Sequence, residues 1–217
     1  MENPLQSEVP RTWDDLVEAL QPASMLLVIE RRMSVALRQR IEPEDIWQET
    51  LLQAWRDRRQ CEWRGLKSFR SWLLSIADHR IRDAAVYHDA RKRGGGRAQV
   101  ALAGGGADES NGSAWAGPVA STTPSRVALQ KEQAAAMRAA LEALPDGLRE
   151  VVWMRLFEQL PIDEVAARLE IGPSAVRHRF RKGAELYQER LRAEWATQSR
   201  TLAESAPADG AFSAPVP

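Results

Sequence analysis

Large apolar side chains recur three and four positions apart along two stretches of the chain, roughly 13–93 and 127–196, and nowhere alternate with polar ones over a strand's length. That spacing predicts amphipathic helices throughout and an all-α fold. In the first stretch Pro22 opens a helix expected to run to about Arg40, and Pro43 opens a second over "EPEDIWQETLLQAWRDR". Acids in that second helix's first turn suit the positive end of its dipole. Its inward face takes Ile46, Leu51 or Thr50, and Ala54, with Trp47 and Leu52 beside them. A third helix follows the loop "QCEWRGLKS", with Ser68 as the expected cap and Phe69, Trp72, Leu73, Ile76, Ala84 and Tyr87 on the buried side.

In the second stretch, "ALQKEQAAAMRAALEAL" ends at Pro145 and "DGLREVVWMRLFEQL" ends at Pro161. The short helix "IDEVAARL" is then followed by a turn containing Gly172 and a longer basic helix, the order of a helix-turn-helix. In that last helix Val176, Phe180, Gly183, Tyr187 and Leu191 share one face, and Arg177, Arg179, Arg181 and Lys182 project elsewhere. Small Ala166 marks where the two helices must approach closely. Between the stretches, residues 94–126 are dominated by Gly, Ala, Ser, Thr and Pro, which predicts a flexible linker. The same reasoning makes 1–12 a flexible N-terminus and 197–217 a disordered tail.

Charge sharpens this picture. Lys+Arg and Asp+Glu both total 30, so attraction to a polyanion has to come from local clustering. The single cysteine, Cys61, excludes an internal disulfide framework, and a structural or incidental thiol is its ordinary reading. No Cys/His or acidic spacing suggests a metal, no glycine run carries a phosphate loop's Lys-Ser/Thr, and the histidines are scattered. We therefore expect no cofactor, no catalytic residues and no enzyme. The N-terminus lacks the basic start and apolar run of a signal peptide, so a cytoplasmic protein without membrane insertion is expected.

Two motifs in order, "EDIWQETLLQAW" with "SFRSWLLSIADHRIRD" and then "LEALPDGLREVVWMRLFEQLPIDEVAARLEIGPSAVRHRFRKGAELYQERL", resemble regions 2 and 4 of the sigma-70 family of bacterial transcription initiation factors. The compact layout is similar to the extracytoplasmic-function (ECF) group. The resemblance implies a nucleoid-associated protein that binds core RNA polymerase, recognises a -10 and a -35 promoter element, and helps melt the duplex. It assigns Asp45, Gln48 and Glu49 to the polymerase clamp helices, and Val152 and Leu156 to the flap, although the last two suit a core equally well. For the -10 element it implies Trp63, Arg64, Lys67, His79 and Arg82, with Arg91 and Arg93 on phosphates. The family commonly has Asn where His79 stands. For the -35 element it implies Arg177, His178, Arg181 and Lys182 in the major groove and Arg179 on the backbone.

A linker of about 30 residues spans roughly 30 Å in r.m.s. terms, enough with the domains' own widths for two elements ~50 Å apart. Two departures from the family stand in the turn region: Glu170 where a Gly is usual and Pro161 where a Ser cap is common. Such factors are often held by an anti-sigma partner, a further implied contact. The competing reading is a regulator that binds intact duplex as a dimer through the same helix-turn-helix.

Overall fold

The computed structural model describes residues 4–6, 10–92 and 124–205, with side chains over 4–5, 12–89 and 125–197. Every regular element among them is helical. The chain divides into two compact units, Met1–Ala134 and Ala135–Pro217. Most of the expected linker, 94–123, and the end of the expected tail, 206–217, lie outside the described residues.

The first unit contains α1 (Pro10–Ala19), α2 (Pro22–Arg32), α3 (Val35–Arg38), α4 (Pro43–Asp57), α5 (Leu66–Lys92) and the beginning of α6 (Pro124–Glu142). Helix α4 starts as expected, with Pro43 in the first turn and a reciprocal capping box in which Glu42 and Asp45 satisfy each other's backbone N–H groups. Its inner stripe of Ile46, Trp47, Thr50, Leu51 and Ala54 is buried. The Thr50 hydroxyl escapes a desolvation cost by donating to the Ile46 carbonyl at 2.7 Å. Helices α2 and α5 close over this stripe with Met25, Leu26, Ile29, Phe69, Leu73, Ala77 and Ala84.

Three expectations are corrected here. The helix opened by Pro22 stops at Arg32 rather than Arg40, because Met33 turns extended and the Ser34 side chain accepts from Leu37 N at 3.2 Å, capping a new helix. Helix α5 begins at Leu66, so Ser68 lies inside its first turn and caps nothing. And Leu5, in a short 3-10 turn at Pro4–Gln6, is only 1% exposed although it belongs to the stretch read as a flexible terminus.

The second unit continues α6 and adds α7 (Asp146–Val152), a π-helical turn at Trp153–Phe157, α8 (Ile162–Arg168) and α9 (Pro173–Ser205). Arg149 fastens α7 to the end of α6, donating to the carbonyls of Leu141, Glu142 and Leu144 at 3.1, 3.0 and 2.8 Å. One guanidinium thus serves carbonyls at and just past the last turn of α6, where a helix runs out of backbone donors, and shares that of Leu141 with Leu144 N. In the π turn the Trp153 and Phe157 rings stack at 4.9 Å and the Trp153 indole donates to Glu158 at 2.7 Å. Gly183 lets α9 lie directly on α7: a Cβ there would stand 2.6 Å from Val152 Cγ2. Helix α9 also runs to Ser205, past the point at 197 where the sequence suggests a tail.

Tyr187, packed edge-on against Phe157 at 6.2 Å, buries a hydroxyl that has no hydrogen-bond partner among the described residues. Burial pushes its pKa up from 10.0 to about 12, since the phenolate would lose solvation. The folded state therefore holds this proton more tightly than the unfolded one, and the resulting stability is complete below about pH 10 and is lost as pH rises through about 12. We expect Tyr187→Phe to remove that part of the alkaline decline in thermal stability, while leaving stability at neutral pH unchanged or raised by up to about 1 kcal/mol. An alkaline transition as steep as that of the wild type would contradict this.

Candidate nucleic-acid and polymerase surfaces

The turn between α8 and α9 determines how the basic helix is presented. Leu169 ends α8, Glu170 adopts φ 53, and Ile171 N donates to the Ala166 carbonyl at 3.0 Å. This is the six-to-one bond of a Schellman close, with Glu170 in the left-handed position usually given to glycine. The departure noted in the sequence is accommodated: the turn forms, at a strain of about 1 kcal/mol. Gly172 itself is not in that region. Ala166 and Val176 are buried where the two helices meet. Pro161 takes the cap position in extended geometry without a side-chain bond.

Beyond the turn, Arg177, His178, Arg181 and Lys182 are all exposed. None of these four forms an ion pair with a described acid. Arg179 is half-buried and reaches back across α7, its Nη1 passing 3.9 Å from where a Cβ on Gly147 would sit. Phe180 is covered by the Arg155 guanidinium, 5.4 Å from its ring centroid, and Arg155 also donates to the Leu160 carbonyl. The anchored side of α9 falls as the sequence spacing predicts, as do exposed Arg177, Arg181 and Lys182, whereas Arg179 turns back toward α7.

A second surface runs along α5 in the first unit. Lys67, Ser71, Ser75, His79, Arg82 and Val86 are all exposed at successive steps of three or four, which puts them on one strip. His79 Nδ1 donates to the Ser75 carbonyl at 2.6 Å, since a carbonyl only accepts, which leaves Nε2 free of that bond. Arg82 Nε donates to the Asp78 carbonyl at 3.0 Å. The resemblance supplied Lys67, His79 and Arg82 but not Ser71, Ser75 and Val86, which helical spacing places on the same strip. Arg91 lies on the last turn of α5 with its side chain outside the described residues, and Arg93 lies outside them altogether.

The loop leading into α5 carries Trp63, half-buried, and Arg64, exposed and paired with Glu62 at 2.8 Å. Gly65 at φ +93 turns the chain into the helix, and Phe69 N donates to its carbonyl at 3.0 Å. A side chain at 65 would be strained in that conformation. The neighbouring Cys61 thiol is pushed above its usual pKa, by burial first and Glu62 second, which disfavours the reactive thiolate.

The third surface is the outer strip of α4. Asp45 is exposed, and Gln48, Glu49 and Leu52 are half-buried beside it. Asp45 accepts from Glu42 N at 3.3 Å, so it serves as a cap as well as a surface charge. Burial raises the Glu49 pKa, partly countered by Arg80. Trp47 is 3% exposed and therefore packs. Of the two residues considered for a contact on the second unit, Val152 is fully buried against α9, which corrects its surface reading. Leu156, on the π turn, is 41% exposed.

Among the described residues no group of His, Cys, Asp and Glu is arranged to hold a metal, and no helix is long and apolar enough to cross a membrane. Two helical units, one of them presenting from a helix-turn-helix a basic helix whose Arg177, His178, Arg181 and Lys182 pair with no described acid, define a protein built around that motif. The family model for sigma-70 region 2 matches residues 23–91, and that for sigma-70 region 4 matches 134–185. The chain belongs to the sigma-70 family, in its extracytoplasmic-function group. A curated relative, the probable RNA polymerase sigma factor RfaY of Xanthomonas campestris pv. campestris, is 30% identical over 157 residues. The match takes in 72% of this chain and 36% of that protein, so the chain spans about a third of its relative's length.

Proposed function

We propose that this chain binds core RNA polymerase, directs it to promoters through a -35 contact by α9 and a -10 contact by α5 and its preceding loop, and assists melting of the downstream element. The observation that carries the reading is the pairing of both family regions, in order, with an exposed helix strip in each, mixed polar with Lys67 and Arg82 on α5 and basic with Arg177, Arg181 and Lys182 on α9. The roles follow from the surfaces. Arg177, His178, Arg181 and Lys182 meet base edges and phosphates in a major groove, with Arg179 on the backbone. Lys67, His79 and Arg82 follow a strand while Trp63 and Arg64 meet an unstacked base, and Arg91 and Arg93 add phosphate contacts. Asp45, Gln48 and Glu49 dock on the polymerase clamp, and Leu156 meets the flap. Work of this kind takes place in the bacterial cytoplasm at the nucleoid, involves no catalysis by the chain, and is open to restraint by an anti-sigma protein.

The test is run-off transcription with purified core polymerase and genomic promoter fragments, beside gel filtration of the holoenzyme. Asp45→Asn with Glu49→Gln removes two charges yet keeps an oxygen acceptor at the cap of α4. We expect at least a tenfold loss of holoenzyme assembly with the helical content of the chain unchanged. Assembly at wild-type levels would remove the docking role from α4, and initiation at identical sites without the chain would remove the function.

A further inference from the structure

The loop that carries Trp63 has no hydrogen-bonded frame of its own comparable to a helix, yet its tryptophan is held half-buried. What holds it is a run of aromatic rings. Trp63 lies against Phe69, centroids 6.1 Å apart, and Phe69 also meets Trp72 at 6.0 Å. Phe69 is 1% exposed and its own N–H starts α5 from the Gly65 carbonyl, so it sits at the joint between loop and helix. Behind it stands Trp13 of α1, 3% exposed, edge-on to Phe69 at 5.7 Å and to Trp55 at 5.3 Å. The far end of the run is closed by the Arg58 guanidinium, 3.7 Å above Trp55.

Edge-to-face contacts of this kind fix ring orientation as well as filling space. Trp13 therefore braces Phe69 edge-on, and Phe69 supplies the wall on which Trp63 rests. Helix α1 precedes the segment matched to region 2, which begins at residue 23. We propose that Trp13 is a positioning residue for the base-capturing loop: it reaches the nucleic acid only through Phe69, and it sets the orientation in which Trp63 offers its ring to an unstacked base. This rests on the -10 role proposed above for that loop. A ring displaced by a fraction of its own thickness no longer stacks on a base held by the rest of the site, so the consequence is on opening rather than on assembly.

The variants are Trp13→Leu, which keeps an apolar filler and removes the ring, and Trp13→Phe, which restores a smaller one. Two measurements separate positioning from plain support. In the fluorotryptophan-labelled full chain, the Trp63 fluorine resonance, assigned with Trp63→Phe, is expected to shift or broaden in Trp13→Leu while that of Trp153 in the second unit stays in place. In the holoenzyme, Trp13→Leu is expected to assemble within about twofold of wild type but to open the downstream element about tenfold more slowly by permanganate reactivity, with partial recovery in Trp13→Phe. An unmoved Trp63 resonance overturns the proposal. So does an opening rate unchanged, or reduced only in proportion to the folded fraction seen in thermal unfolding. A wild-type chain that fails to open any promoter would instead overturn the -10 role, and the resonance would still decide whether Trp13 orients Trp63.

Discussion

Replacing Arg177 and Lys182 together by alanine is expected to abolish recognition of the upstream promoter element while leaving holoenzyme assembly intact. Both side chains are exposed and neither forms an ion pair with a described acid, so their removal leaves no buried charge behind and should not unfold the second unit. Each good pairing with a base edge or phosphate contributes about 1–3 kcal/mol, so removing two should reduce transcription from promoters that depend on that element by about a hundredfold. The remaining binding should also depend less on salt, the slope of log affinity against log salt falling by about one for each phosphate that is no longer neutralised. Footprinting of the upstream element and run-off transcription at two salt concentrations read both effects. Protection at wild-type strength would mean that α9 meets DNA by some other face.

The second large effect is structural. Gly183→Ala places a methyl 2.6 Å from Val152 Cγ2, 3.3 Å from Leu148 Cβ and 3.4 Å from the Leu148 carbonyl oxygen. Val152 is 0% exposed and has nowhere to retreat. Alanine's better helix propensity offers up to about 1 kcal/mol, but overpacking of this kind costs about 1–3 kcal/mol, and a separation that short forces α7 and α9 apart. We expect a net loss of about 1–2 kcal/mol, read as a fall of roughly 5–10 °C in the melting of the second unit. Val152→Ala should destabilise on its own by opening a cavity, yet rescue Gly183→Ala, since the added and deleted carbons occupy the same space. Additive losses in that double-mutant cycle would show that the two positions do not share a contact.

Much of the fold could be read because its devices are local. The start of α4 is written in four consecutive residues, Glu42 to Asp45, and the buried and cationic sides of α9 follow from spacing alone. The misses share a different cause. Ser34 breaks a helix whose apolar period carries on across it, so periodicity outvoted a capping side chain. Arg70, only 5% exposed, occupies the buried stripe of α5 with Leu73, Ala77, Ile81 and Ala84. A charged residue type hid a position that its register gave away, and burial first and Arg32 second hold its pKa below the ordinary arginine value. The aromatic run from Trp13 to Trp63 joins residues fifty positions apart, which no local pattern encodes. The candidate sites were legible as residues, but not as strips: the division of labour between Val152 and Leu156 needed the helix behind them.

That division falls at the π turn at Trp153–Phe157, where Glu158 N donates to the Trp153 carbonyl five residues back rather than four. The helix ends in this turn with Phe157 stacked on Trp153 in the interior and Leu156 on the outside. Neighbouring positions thus face opposite demands: a polar side chain at 156 would stay in water, whereas one at 157 would be buried without a partner, so the two should differ sharply in the substitutions that folding tolerates.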